Sequence, residues 1–436
     1  VQVGASSPLA SLPLIGRPPT VTATPPSPVA VKTLLTPAPA TAPVPAPAAV
    51  TAALGRLAAV PALGSLSGEV TDARSGTVLW SLNPNAPRVP ASTMKVLTAA
   101  AALLTLGRDD TTPTRVVATS RPGQLVLVGG GDVTLSGQPA PAPTYYPSAP
   151  RMSELVAQVR SSGVKVSSVV VDSSRWSGPL LAKGWFSADI AGGNTAPVQP
   201  VMLDGARLRP LQEYSPRSAT PALDAGRALA AGLGLDPAAV SAGTAPQGAR
   251  VVAEVSSATL QTRAQFMLTT SDELEAEAIG REVALATQAP ATFTGVADAV
   301  RGALAGAGFD VTGLAGFDAS GLSVDDRVPA RLLATVLTAA AGDGPHAAAL
   351  RPLLSWLPVA GATGTLADRY SGTAAGAGYV RAKTGTLTGV SSLAGTVLDT
   401  DGRVLVFALM SAGTAPADAR PALDALADAL RGCGCR

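Results

Sequence analysis

Histidine and cysteine are almost missing from this chain. A single histidine, His346, in 436 residues leaves no histidine-rich metal site, and any Ser-His-Asp triad would have to use that one residue. His346 stands in Gly-Asp-Gly-Pro-His, a turn signal ahead of an Ala-rich stretch, so a solvated or helix-capping role is expected for it. The two cysteines, Cys433 and Cys435, exclude a disulfide framework and give no basis for a zinc site. A bridge between residues so close would be strained, and a frayed tail is expected. The formal charge of +2 is near neutral, and no dense Lys/Arg cluster marks a nucleic-acid surface, so nucleic acid is excluded as a partner. The longest uninterrupted apolar helical stretch is too short to span a bilayer. No metal and no cofactor is expected.

Proline is plentiful but unevenly spread. Residues 1–50 hold twelve of the 38 prolines and no acidic residue, with Ala, Val, Thr and Ser between them. That is the composition of an extended linker or wall-spanning stalk, short of side chains that could build a core. Such stalks often follow a secretion signal, and no charged-then-apolar signal segment is present. The protein is therefore expected to be exported, with its export signal outside this sequence.

From Gly68 the pattern becomes globular. Gly68 to Asp72 and Thr77 to Leu82 flank Ala-Arg-Ser-Gly and read as a hairpin. Between about 110 and 250 short β-rich runs (Arg115 to Ala118, Gln124 to Val128, Val164 to Val171) alternate with turns and with helical patterns at Arg151 to Val159 and Pro221 to Leu233. Gly-Gly-Gly-Asp at 129–132 lacks the lysine and the following helix of a phosphate loop, and is read as a tight turn. Longer helical patterns return at Thr262 to Thr269, Asp272 to Thr287, Pro329 to Ala341 and Ala347 to Leu354. Three strands in meander order follow, at Gly378 to Thr384, Val390 to Asp399 and Arg403 to Met410, with a closing helix at 416–431. The expected fold is α+β: an antiparallel sheet made from the first hairpin and the last three strands, helices on both faces, and a β-rich insert. In domain terms, 1–50 is the stalk, 51–110 with 251–436 the main domain, and 111–250 the insert.

Ser92 and Lys95, in Pro-Ala-Ser-Thr-Met-Lys, open the apolar helical stretch Val96 to Leu106. A spacing of three puts hydroxyl and amine on one face of the first turn, where a partly desolvated lysine can activate the hydroxyl as a nucleophile. The pattern alone is weak. Ser162 to Lys165 matches it too, but that copy contains Gly163 and is read as a turn. Only five lysines occur in the chain, and a second one, Lys383, lies in Arg-Ala-Lys-Thr-Gly-Thr-Leu on the strand that opens the meander. There the ammonium and the Thr384 and Thr386 hydroxyls can hold a substrate carboxylate, and Gly385 leaves room for substrate along the strand edge.

Ser-x-x-Lys at a helix start together with Lys-Thr-Gly on a late strand are two of three signatures shared by penicillin-binding proteins and class A β-lactamases. Over roughly residues 55–431 the chain resembles the low-molecular-mass class C penicillin-binding proteins, serine D-alanyl-D-alanine carboxypeptidases and endopeptidases of the DacB type. Blocks at 129–132, Asp318-Ala-Ser-Gly-Leu-Ser323 and Leu357 to Leu366 add to the resemblance. The long insert between Lys95 and Ser271 argues against a β-lactamase. The resemblance implies a penicillin-binding-protein/β-lactamase-like transpeptidase domain and a location in the bacterial cell envelope. The implied partners are a peptidoglycan stem peptide ending in D-Ala-D-Ala, and β-lactams as covalent inhibitors. It also assigns Ser92 as nucleophile, Lys95 as base, Ser271 as proton relay, Lys383 as the charge that keeps Lys95 neutral, and the Ser92 and Thr386 N–H groups as oxyanion hole.

The third signature departs from the family. Where Ser-x-Asn is expected the chain has Ser271-Asp272-Glu273, and its only asparagines, Asn83, Asn85 and Asn194, lie elsewhere. An asparagine amide both donates and accepts, whereas an ionised Glu273 only accepts, and beside Lys95 it would favour the protonated amine. Either the chemistry is weakened, or Glu273 points away as a first-turn helix acid. Two rivals to the carboxypeptidase stay open: a serine esterase or β-lactamase on the same scaffold, and a catalytically impaired peptidoglycan-binding scaffold.

Overall fold

The computed structural model describes residues 41–372 and 374–434; most of the expected stalk lies outside the described residues. Its last part does not behave as a stalk. Pro47–Ala58 forms helix α1, with Pro at its first turn, where no N–H partner is needed, and with Val50 and Leu54 fully buried.

The chain then runs through strands β1 (Ser65–Asp72) and β2 (Val78–Leu82) into a 3-10 turn, Ala91–Thr93, that leads directly into α2 (Met94–Thr105). Strands β3 (Pro113–Ala118) and β4 (Gln124–Val128), helix α3 (Met152–Ser161), strand β5 (Ser168–Asp172), helix α4 (Pro221–Gly232) and strand β6 (Arg250–Ser256) make up the insert. Helices α5 (Leu260–Thr270), α6 (Glu273–Ala286), α7 (Phe293–Gly306) and α8 (Ala330–Ala341) follow. Strands β7 (Val380–Leu387), β8 (Val390–Leu398) and β9 (Val404–Ala412) and helix α9 (Pro416–Gly432) close the fold. Helix α7 has no counterpart in the sequence reading. Its apolar residues Phe293, Val296, Val300 and Leu304 recur at helical spacing and form its buried face, a pattern present in the sequence that the reading passed over. The pattern at 347–354 is two short helices, Ala347–Leu350 and Pro352–Trp356, divided by a proline that cannot continue the first.

The main sheet has the order β7-β8-β9-β1-β2 and its pairings are antiparallel, so the hairpin near one end of the chain is completed by the meander near the other. Strand β9 shows how it divides two cores: Val406, Ala408 and Met410 face one apolar cluster, Leu405, Phe407 and Leu409 the other. This period of two is the pleat. The first cluster holds α2, α5, α6, α7 and α8; the second holds α1 and α9. Helix α2 is buried over Met94 to Leu103 on all sides, as an Ala-rich helix with no polar face must be.

The insert carries its own mixed sheet, with β4 and β5 parallel through the α3 crossover and β3 antiparallel to both β4 and β6, and its own core. A further apolar cluster, including Val133, Trp176, Met202, Leu274 and Phe293, joins it to α6 and α7.

Two smaller expectations are revised. His346 stands at the N-cap position of Ala347–Leu350, but its side chain makes no capping bond and is only half-buried: its Nε2 lies 2.8 Å from the Ala307 carbonyl, and its ring leans on Phe309. Cys433 is no frayed end. It is buried in the second core beside Leu430.

Candidate active site

Ser92 is positioned by backbone strain on one side and a buried helix on the other. Ala91, just before it, has φ 47°, a left-handed conformation that a non-glycine residue adopts only when its surroundings impose it. The carbonyl of Ala91 is packed against Gly321, where an added Cβ would lie 1.9 Å from that oxygen, so only glycine fits there. Ser92 Oγ accepts from Lys95 Nζ at 2.9 Å.

The Lys95 side chain is fully buried and has three partners: Ser92 Oγ, the Ser320 carbonyl at 2.9 Å, and Glu273 Oε2, to which it is ion-paired. The carbonyl and the carboxylate can only accept, so two N–H bonds of Lys95 are committed whatever its protonation state. The serine hydroxyl can donate or accept, and so the third direction is an axis along which a proton can move between Ser92 and Lys95. The Ser320 carbonyl is itself fixed. Glu277 accepts from the Ala319 and Ser320 N–H groups, both at 3.0 Å, and Asp318 accepts from Gly321 and Ser323, both at 2.7 Å.

Glu273 therefore does not point away. Its Oε1 accepts from Ser92 Oγ at 3.4 Å while Oε2 pairs with Lys95. Burial pushes its carboxyl above the ordinary range, against the pull of Lys95. Asp272 caps α6, accepting from Glu275 N at 2.9 Å, and is buried between Arg207 and Tyr146 of the insert. Arg207 in turn stacks over the Tyr145 ring, 3.5 Å from its centroid. The insert thus clamps Asp272, and with it the residues on either side: Ser271, held at φ 66°, and Glu273.

Lys383 is fully buried on β7 and donates to Ser271 Oγ at 2.9 Å and to the Thr384 carbonyl at 2.8 Å. Burial first, and then the charge of Lys95, hold its amine well below the ordinary lysine range. Its ammonium does not line the cavity, which corrects the expectation that it would hold a substrate carboxylate directly. Thr384 and Thr386 do line it, with Thr384 Oγ1 2.7 Å from Thr365 Oγ1. Gly385 also plays a different part from the one expected. A Cβ there would lie 2.1 Å from Ser392 Oγ, 2.7 Å from the Pro90 carbonyl and 3.0 Å from Ser92 N. The missing side chain makes room for the nucleophile's turn against the strand, not for substrate.

Strand β7 is the edge of its sheet. Ala382 N–H leaves the sheet to reach the Pro358 carbonyl at 3.0 Å, so by strand alternation the N–H groups of Thr384 and Thr386 face the same open side. Beside them is a cavity of about 830 Å³ lined by Ser92, Ser271, Glu273, Thr384 and Thr386, with Tyr145 and Tyr214 of the insert on its far wall. Arg420, on α9, reaches into it and donates to Thr386 Oγ1 at 3.2 Å. Sequence reading missed Arg420 because nothing in a helical run of Ala, Asp and Arg marks the one side chain that tertiary packing sets beside the strand.

A sheet flanked by helices, with a serine behind a strained residue at the start of a buried helix, a lysine on its hydroxyl and a second serine-lysine pair across the cavity, defines a serine acyl-transfer enzyme of the penicillin-binding-protein and β-lactamase fold. Residues 50–215 and 206–432 match the D-Ala-D-Ala carboxypeptidase 3 (S13) family, and the chain belongs to it. It is 50% identical to a carboxypeptidase of Mycobacterium tuberculosis over 95% of this chain and 90% of that protein. It is 49% identical to carboxypeptidase DacB of Mycolicibacterium smegmatis over 88% of this chain and 84% of that one. Penicillin binding protein 4 of Haemophilus influenzae, in a complex with a β-lactam, superposes with a TM-score of 0.64 at 21% identity, covering 86% of this chain and 97% of that one. The chain is a serine hydrolase of the D-Ala-D-Ala carboxypeptidase type. Among the described residues no helix is long and apolar enough to cross a membrane.

Proposed function

We propose that Ser92 is the acylated nucleophile of a reaction that releases the terminal D-Ala from peptidoglycan stem peptides outside the cytoplasm. The observation that carries this reading is the Ser92–Lys95 contact at 2.9 Å, with the other two Lys95 donors already committed. The step requires Lys95 as the neutral amine, its two N–H bonds kept on Glu273 and the Ser320 carbonyl and its lone pair on Ser92; Ser92 Oγ then attacks the penultimate D-Ala carbonyl and passes its proton to Lys95. The oxyanion takes hydrogen bonds from the Ser92 and Thr386 N–H groups. Ser271, oriented by Lys383, relays to the departing amine the proton that Lys95 took from Ser92, so that as the C–N bond breaks the Ser271 hydroxyl is restored and Lys95 is free of the extra proton. The substrate lies along the open edge of β7. Its terminal carboxylate is held by the Thr384 and Thr386 hydroxyls and by the exposed Arg420, because the ammonium of Lys383 is withdrawn. In this reading residues 51–110 and those after Ser256 form the catalytic part, and the insert, expected to end at 250 but keeping β6 to Ser256 in its sheet, contributes the far wall.

A crosslink between two stem peptides presents the same D-Ala carbonyl, and the open β7 edge beside a cavity of about 830 Å³ is compatible with endopeptidase cleavage as well. The test is intact-mass measurement after incubation with a penicillin, together with D-Ala release from a D-Ala-D-Ala pentapeptide. The protein should gain the mass of one penicillin, located on Ser92 by peptide mapping, and Ser92→Ala should lose both the adduct and D-Ala release. An adduct on another residue, or D-Ala release surviving in Ser92→Ala, would overturn the reading.

A further inference from the structure

The acylation step just described uses Ser92, Lys95, Ser271 and Lys383 and leaves Glu273 without a task. Yet of the charged groups at the nucleophile, Lys95 and Lys383 are fully buried while Glu273 lines the cavity, its side chain 15% exposed. One of its oxygens is held by Lys95; the other faces Ser92 Oγ at 3.4 Å. Its backbone is fixed as the first residue of α6 by the Asp272 cap, and Asp272 is clamped by Arg207 and Tyr146. A carboxylate that can only accept, anchored at one oxygen and directed with the other at the atom that becomes the ester oxygen, is placed to hold a water against the acyl carbon. The other carboxylate near the nucleophile's side of the cavity, Asp272, is occupied by its cap and by Arg207 and Tyr146.

We propose that Glu273 is the general base of deacylation, and that this chain consequently hydrolyses β-lactams in addition to being acylated by them. The proposal rests on the assignment of Ser92 as nucleophile. After acylation the Ser92 oxygen carries no hydrogen, and Glu273 Oε1 is free to accept from water. The water oxygen forms its bond to the acyl carbon as its proton moves to Glu273, and the carbonyl electron pair moves onto the oxyanion held by the Ser92 and Thr386 N–H groups. On collapse the bond between the acyl carbon and Ser92 Oγ breaks. A proton returns to Ser92 Oγ from Lys95, which is restored from Glu273 through their shared contact. The products are a carboxylic acid and free Ser92, with one water consumed and no co-reactant. Asparagine, the residue of the family signature at this place, cannot take that proton.

The experiment uses the whole chain and its Glu273→Gln and Glu273→Asn variants. Each is acylated with excess penicillin and freed of it by rapid gel filtration, and the mass of the Ser92 adduct is followed with time. The parent adduct should decay while those of the variants persist about 100-fold longer, the lower end of what a general base contributes. Formation of the adduct shows that each variant is folded, so slow decay cannot be put down to a damaged site. Decay of all three within a factor of two would overturn the role of Glu273. Failure of both variants to acylate while the parent does so would overturn it too, by placing Glu273 in the first step. Absence of adduct in all three would instead overturn the assignment of Ser92.

Discussion

Lys383 Nζ donates to Ser271 Oγ at 2.9 Å, joining two residues 112 positions apart in the chain. Because the amine is buried and also committed to the Thr384 carbonyl, its role is to orient and polarise the hydroxyl of Ser271 without touching substrate. Ser271→Ala should lower kcat for D-Ala release by about 100-fold or more, the range for a lost proton relay, with KM little changed. Lys383→Arg should not rescue, because a planar guanidinium has no space in the pocket left by a fully buried ammonium. Steady-state kinetics on a pentapeptide checks both, and a Ser271→Ala variant that loses only KM would contradict the relay.

Arg420 should reveal itself through the substrate's carboxylate. A hydrogen bond to a charged group contributes about 1.5–3 kcal/mol, so Arg420→Ala should raise KM by about tenfold or more for a peptide with a free terminus. A substrate amidated at that terminus should show no such loss. Equal effects on both substrates would remove Arg420 from carboxylate recognition.

Gly385→Ala tests how closely β7 and the nucleophile turn must approach. The new methyl meets Ser392 Oγ at 2.1 Å and the Pro90 carbonyl at 2.7 Å, and overpacking of this kind costs about 1–3 kcal/mol. Urea unfolding should show that loss, and the rate of penicillin acylation should fall because Ser92 is pushed off its axis with Lys95. Adding Ser392→Ala should restore part of the stability and little of the rate, since the Pro90 carbonyl stays in place. Full recovery of both would locate the strain at Ser392 alone.

The contribution of Glu277 to stability should decline as pH rises toward neutrality. Burial, with the charge of Asp318 added, pushes the Glu277 carboxyl up from 4.5 to about 7. The folded state then holds that proton more tightly than the unfolded chain does, so its contribution is full below pH 4.5 and is lost as pH passes 7. Buried Glu275 and Asp326 are raised too and act in the same direction. Carboxyls held low, such as Asp72 and Asp272, titrate below 3.8 and fall outside this window. The depressed Lys383 amine acts in the opposite direction, so the Glu277 contribution is read as a difference: from pH 4.5 to 7 the unfolding free energy of the parent should fall relative to that of Glu277→Gln. Identical slopes would exclude Glu277 as a contributor.

The alternation and runs that mark β1, β2 and the last three strands are properties of short windows, and so the sheet and helices α2, α5, α6, α8 and α9 were legible residue by residue, while α1, which begins inside the expected stalk, was not. So were Ser92 with Lys95 and the Lys383 strand, since a spacing of three on a helix and a Lys-Thr-Gly on a strand each fix geometry locally. Helix α7 was passed over although Phe293, Val296, Val300 and Leu304 recur at helical spacing in its own sequence. Where Gly385 directs its bare face, whether Lys383 meets solvent, which arginine of α9 reaches the cavity, and whether Glu273 turns toward Lys95 all depend on elements more than a hundred residues apart or on opposite layers. The sequence by itself determined which groups can carry the chemistry. Only the tertiary structure decided which of them touch, because a carboxylate at a helix start can face water or an amine equally well until Arg207 and Tyr146 fix the backbone on which it stands.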